Sequence, residues 1–383
     1  MMGQRSGDQE QLFYAFKLDD HVPKDRSGSC SGPNAARRAE GLGDFWWSLK
    51  AEKPCWKALA QKCHSSDRAD PSYMKTSISG ERQMSRLLWT QRQNFGPADR
   101  WGSAMTFDPV RERTVLFDGS NGSADTWEWD GQFWTQVSDM GPQPRNRHQM
   151  AWDSSSNRVI LFGGAVGTGD IPQLVPFHDT WEWDGERWIQ LDDQGPPPRY
   201  NFGLASDTTR NRVVLFGGEL RFAVNDQVLG DTWEWDGTAW SQLEETGPSP
   251  RTGLCMTFDS VRGRVVLFGG SLQGDTWEWN GTVWVRVSEF GPPRRAFAAF
   301  DFDGSEAILF GGESEGFLGD TWSWDGRFWT QRQDIGPLPR AFAAMAFDSS
   351  RKRIVLFGGS SRLPPDSGLG DTWELAERPT PTS

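Results

Sequence analysis

Residues 231–240 read DTWEWDGTAW. Trp233 and Trp235 stand two apart, so in an extended chain they share one face while Glu234 takes the other. Asp236-Gly237 predicts the two-residue turn that best fits a right-twisted hairpin, and Trp240 returns on the next strand. Upstream, Gly217-Gly218 ends an apolar run where the backbone must bend and take positive φ against a neighbouring sheet. Runs of the same kind, such as Cys255–Asp259 (CMTFD) and Val265–Phe268 (VVLF), are short, apolar and β-prone, and predict buried strands. Working outward, the unit is GPxPR, a strand ending in Phe-Asp, RxRVVLFGG, a variable gap, DTWEWDGxxW and TQ. Its Asp-Thr-Trp recurs at Asp125, Asp179, Asp231, Asp275, Asp320 and Asp371, in steps of 54, 52, 44, 45 and 51 residues. Four strands in a period of about 50 residues predict one propeller blade per unit.

The ends of the repeat complete each other. The last unit runs through Asp371–Glu374 and stops without a fourth strand, while Leu87–Gln91 (LLWTQ) is an orphan fourth strand before the first loop. Pairing them closes a sixth blade and leaves no open seam. The expected architecture is therefore all-β: a six-bladed propeller over 86–376, an irregular N-terminal extension over 1–85 and a disordered tail over 377–383. The extension offers an echo of a third strand at Gly41–Trp47, one or two helical turns at Trp56–Lys62 and a linker at His64–Arg82. Two blades depart from the pattern. Asp118-Gly119 replaces the glycine pair in the first, and Asp303–Glu306 shortens the fifth.

From Leu87 to Glu374, about three quarters of the chain, these residues resemble the kelch-repeat family, and the DTWEWDG wording resembles its bacterial-style members. Ser29–Pro33, Gly43–Trp46 and Leu49-Lys50 faintly resemble the muskelin family. The kelch resemblance implies a binding scaffold. Galactose oxidase-type enzymes share such blades, but their copper site needs two tyrosines, two histidines and a cross-linked cysteine. The repeat region offers only Tyr200, His148 and His178. Copper-radical chemistry is therefore disfavoured, no cofactor or metal is expected, and no GxSxG elbow suggests a hydrolase.

Composition fits many short strands joined by tight turns: 22 Trp, 24 Phe, 43 Gly and 23 Pro against 3 Tyr in 383 residues. The formal charge of −12 disfavours nucleic-acid backbones and anionic membranes as partners. No apolar run is long enough to span a bilayer and the start has no signal-peptide pattern, so a cytoplasmic location is expected. Cys30, Cys55, Cys63 and Cys255 form no CxxC pair, which suits a reducing compartment.

Two groups of candidate site residues emerge. A ring of arginines, Arg100, Arg145, Arg199, Arg251, Arg295 and Arg340, follows the proline-rich loops. It is expected around one channel mouth, either focusing a carboxylate or acidic sugar or tied structurally to the Asp-Thr-Trp aspartates. The second group lies on the variable gaps, which are long in blades 2, 3 and 6. There Ile171, Leu174, Val175, Phe177 and His178, then Leu220, Arg221, Phe222 and Val224, and Arg362 form a candidate contact patch. The function expected is a non-catalytic protein-interaction module. The alternative is a carbohydrate or small-anion binder, in the manner of kelch-type sialic acid epimerases, with a cofactor-free sugar isomerase as its enzymatic form.

Overall fold

The computed structural model describes residues 87–377, except 93–94, 169–172, 192–193, 223–224, 244–246, 272, 334 and 362–367. The chain divides into two units, Met1–Ile78 and Ser79–Ser383, and every described residue lies in the second. The expectations for the extension, its three cysteines and the tail beyond Glu377 lie outside the described residues.

Six four-stranded antiparallel sheets form a propeller. Blade 1 comprises Ala104–Asp108, Arg113–Phe117, Thr126–Trp129 and Trp134–Ser138. Blade 2 has Gln149–Asp153, Arg158–Phe162, Thr180–Trp183 and Trp188–Gln190. Blade 3 has Gly203–Asp207, Arg212–Phe216, Thr232–Trp235 and Trp240–Gln242. Blade 4 has Cys255–Asp259, Arg264–Phe268, Thr276–Trp279 and Trp284–Ser288. Blade 5 has Ala299–Phe302, Ala307–Phe310, Thr321–Trp324 and Trp329–Gln333. Blade 6 joins Ala344–Asp348, Arg353–Phe357 and Thr372–Glu377 to Leu87–Gln91 as its outer strand. The pairing runs from Leu87 opposite Glu377 to Gln91 opposite Trp373, so the last strand reaches one residue past the expected domain end.

The second strand of each blade is buried on both faces, which is why it reads as an unbroken apolar run. In blade 4, Val265 and Leu267 pack with Phe216 of blade 3, while Val266 and Phe268 pack with Phe300 of blade 5. Alternation along one strand thus feeds two inter-blade cores. The outer-strand tryptophans stitch the blades together. Trp134, Trp188, Trp240, Trp284, Trp329 and Trp89 each donate the indole N–H to the Thr hydroxyl of the preceding blade's Asp-Thr-Trp, at 2.8–3.0 Å. The cycle closes through Trp89 to Thr321 and Trp134 to Thr372, so the seam blade is tied like the rest.

The turn after the third strand differs from expectation. Trp235 pairs with Trp240, which leaves a four-residue turn and not a two-residue one. Asp236 fixes it by accepting the N–H of Thr238 and of Ala239 on one carboxylate oxygen, with Gly237 at φ 98°. The glycine pairs do take positive φ, as at Gly217 (69°) and Gly218 (98°). A Cβ on Gly217 would stand 2.8 Å from the Arg251 carbonyl of the next blade, whose oxygen accepts the Gly218 N–H.

Candidate functional site

One face of the wheel carries the variable loops, and a single stitch repeated six times underlies it. Arg100, Arg145, Arg199, Arg251, Arg295 and Arg340 are each at most 1% exposed. Each grips both carboxylate oxygens of the aspartate that precedes its own blade's third strand: Asp125, Asp179, Asp231, Asp275, Asp320 and Asp371 in turn. Nη1 also donates to the carbonyl of the first glycine of the pair, or of Asp118 in blade 1. Nε donates to the carbonyl two residues back. Four of the five guanidinium N–H donors are thus engaged. The Asp-Thr-Trp indole N–H completes the aspartate's partners at 2.6–2.7 Å. Burial alone would raise the Asp179 carboxyl, but the hydrogen bonds and charge of Arg145 outweigh it and hold it below the usual carboxylate range.

Of the two arrangements its sequence positions allowed, the arginine ring takes the one tied to the Asp-Thr-Trp aspartates and not that of an open cationic rim. Its donors turn into the blades, because a guanidinium in a protein interior needs a carboxylate beside it. Blade 1 shows what happens where the pattern breaks. For four of the six arginines a loop carbonyl accepts the backbone N–H: Phe177 for Arg199, Leu229 for Arg251, Leu318 for Arg340 and Leu369 for Arg100. Blade 1's gap is short, and the Asp118 side chain accepts the Arg145 N–H in place of a loop carbonyl.

What faces the axis is the residue two beyond each arginine. Gly102, Arg147, Asn201, Gly253, Phe297 and Phe342 all have φ between 57° and 68°. Each donates its N–H to the carbonyl of its counterpart in the preceding blade, at 2.7–3.2 Å, and Gly102 closes the cycle onto Phe342. Above this backbone ring lies an arc of half-buried side chains. Phe297 and Phe342 stack with centroids 4.1 Å apart, and Trp101 meets Phe342 at 5.4 Å. The Arg147 guanidinium sits over the rings of Trp101, Phe342 and Tyr200 at 5.3–5.7 Å. Asn201 donates to Glu219 at 2.7 Å on the far side. Sequence reasoning followed what repeats, and this position does not, so the arc escaped it.

The gaps of blades 2 and 3 fold into two-stranded ribbons, Ala165–Thr168 with Gln173–Pro176 and Glu219–Phe222 with Asn225–Val228. The first ribbon's returning strand packs against the second ribbon's outgoing strand. Leu174 and Leu220 are half-buried, while Val175 and Val228 remain exposed at 44% and 40%. Phe177 folds down as a lid, its ring 4.1 Å from the Arg145 guanidinium. His178 is exposed. Beneath the second ribbon, Pro197, Leu220, Val228, Leu229, Pro248 and Pro250 line a groove of about 560 Å³. Arg221 and Phe222 lie on its first strand, but their side chains are outside the described residues, as are Ile171, Val224 and Arg362.

His148 stands apart from His178. It is 1% exposed and packs edge-on to Phe117 at 5.5 Å, in the place that Phe202 fills one blade later. Burial, and then the Arg145 charge, push its pKa down to about 3. Among the described residues no group of three or more His, Cys, Asp and Glu side chains is placed to hold a metal ion.

Fold and face together define a six-bladed repeat propeller whose individuality is concentrated on one side. It is structurally similar to YjhT, with a TM-score of 0.59 over 72% of this chain and 95% of that one. At 14% sequence identity the likeness shows the fold alone. A 96-residue stretch is 36% identical to dynein regulatory complex subunit 7 of Chlamydomonas reinhardtii, covering 24% of this chain and 8% of that protein. No protein-family model matches the chain.

Proposed function

We propose that this chain is a non-catalytic interaction module of the kelch-repeat kind, binding a partner protein through its loop-bearing face. The observation that carries the reading is the pair of abutting ribbons on blades 2 and 3. Four extra strands are ordered there, at a conformational cost that the propeller's own closure does not require. Loops individualise a repeat scaffold in this way when they serve recognition. The partial similarity to a subunit of a dynein regulatory complex supports a role in assembly. The arginines, aspartates and tryptophans that recur in every blade are engaged in stitching, which favours binding over catalysis. The same engagement weighs against the alternative of an acidic sugar held by the arginine ring.

The test is crosslinking mass spectrometry in native lysate, with the intact protein and a variant in which both ribbons are replaced by blade 4's short Ser271–Gly274 connection. Partners should crosslink to the ribbons of the intact protein and vanish with the variant, whose melting temperature should stay within a few degrees. Equal capture by both proteins overturns the reading.

A further inference from the structure

The left-handed ring at the channel mouth presents residues that the fold alone would not choose. All six positions share one backbone conformation and one cyclic hydrogen-bond pattern, so the architecture imposes φ near 60° on whatever residue stands there. Blades 1 and 4 meet that demand with Gly102 and Gly253, and blade 3 with Asn201, the residue types that tolerate it. Blades 2, 5 and 6 place Arg147, Phe297 and Phe342 there instead. A bulky side chain is disfavoured in this region, because its Cβ crowds the following carbonyl oxygen. Stability is therefore given up at three positions, and all three contribute to one arc over blades 5, 6, 1 and 2 with Trp101 between them. Other side chains at positive φ, such as Glu112 and Lys352, lie singly in the turns between strands, whereas these three share one half-buried arc, and strained residues that cluster mark recognition sites.

The chemistry of the arc narrows its ligand. Ring faces alone would suit a cation, but the Arg147 guanidinium already lies over three of them and would repel a second positive charge. An anion gains from the same guanidinium, held in place by aromatic walls. Size decides the rest. The cavity at the mouth is about 70 Å³, well under the roughly 300 Å³ that encloses a small-molecule ligand. It opens at the ring residues Arg147, Phe297 and Phe342 and narrows past Ser103, Gln149 and Ala343 into the channel. Such an opening admits the tip of a side chain, with the stacked Phe297 and Phe342 receiving an apolar neighbour.

We propose that the arc of Trp101, Arg147, Phe297 and Phe342 is a subsite for a carboxylate borne next to an apolar side chain on a partner protein's loop. The proposal rests on the reading of this face as a protein-interaction surface and adds the chemistry the partner must bring.

The test uses the full chain and immobilised short peptides in which Asp or Glu neighbours Leu or Phe, each matched by its Asn or Gln counterpart. The acid peptides should bind the intact protein about tenfold or more tighter than their amide counterparts. Arg147→Gly and Phe342→Gly should abolish that preference while melting at or above the parent temperature, since glycine accepts the imposed φ. Should a glycine variant fail to fold, Arg147→Asn, copying blade 3, replaces it. Equal binding of acids and amides, or a preference that survives the glycine variants, overturns the subsite. A preference that survives them but disappears with the ribbons overturns the subsite alone and leaves the interaction face standing. Absence of any peptide binding also overturns the subsite, and the lysate crosslinking then decides the face independently.

Discussion

At the scale of single residues, charge burial sets what substitution will do. Asp231→Ala would leave Arg199, with no exposed side-chain surface, facing two backbone carbonyls and no counter-charge. Unpairing a buried charge typically costs about 3–5 kcal/mol, a loss that urea denaturation should read directly. His148 and Asp118 make opposite predictions about pH. The folded pKa of His148, about 3, lies below its ordinary 6.5, so the folded state binds fewer protons between those values. Stability is then lost as pH falls through that window, at up to about 1.4 kcal/mol per pH unit. His148→Phe, which copies Phe202, should flatten this slope and raise the melting temperature at about pH 5. Asp118 is raised by burial from 3.8 to about 6, against its hydrogen bond from the Arg145 amide. The folded state binds the extra proton here, so acidification through the same region adds stability. Asp118→Asn keeps an acceptor for the Arg145 N–H and should remove that gain, steepening the acid loss seen by thermal melts.

At the scale of elements, the outer strand of blade 6 is the one held by no covalent turn. A truncation beginning after Gln91 would open the edge of Thr372–Glu377 and leave the Thr321 hydroxyl without its indole donor. Such a chain should self-associate in size-exclusion chromatography, and an added peptide spanning Leu87–Gln91 should restore the monomer. This closure was legible because a strand lacking at one end and left over at the other is an arithmetic fact of the repeat. The hairpin turn was not. Asp-Gly begins both two-residue and four-residue turns, and only the pairing of Trp235 with Trp240 distinguishes them. The ribbons were legible as long gaps with apolar residues, but not as strands, since nothing recurs to reveal their period. The axial arc left no sign at all, because Arg147, Phe297 and Phe342 carry none of the usual signature of a left-handed residue.

At the scale of the whole molecule, six identical stitches make acid stability collective. The aspartates of the Arg–Asp pairs are all held below the usual carboxylate range, so their contribution is present above about pH 4 and disappears as pH falls through their folded values. The blades are tied in a cycle by the indole–threonine bonds, so the loss should appear as one cooperative transition on acid titration. Circular dichroism and tryptophan emission should report the same midpoint. The wheel is also uneven. Phe290, Phe328 and Ile335 stand 85%, 69% and 80% exposed along blades 4 and 5, whereas the ribbons rise from blades 2 and 3.

The strand that closes the wheel is made first and used last. Leu87 finds its partner only at Glu377, so during synthesis LLWTQ waits until nearly the whole propeller has left the ribosome. At about 5–20 residues per second that wait lasts on the order of tens of seconds. Throughout it, Leu87 and Trp89, both destined for the core, have no sheet to join. Newborn chains of this protein should therefore depend on holding chaperones in proportion to how slowly they are translated.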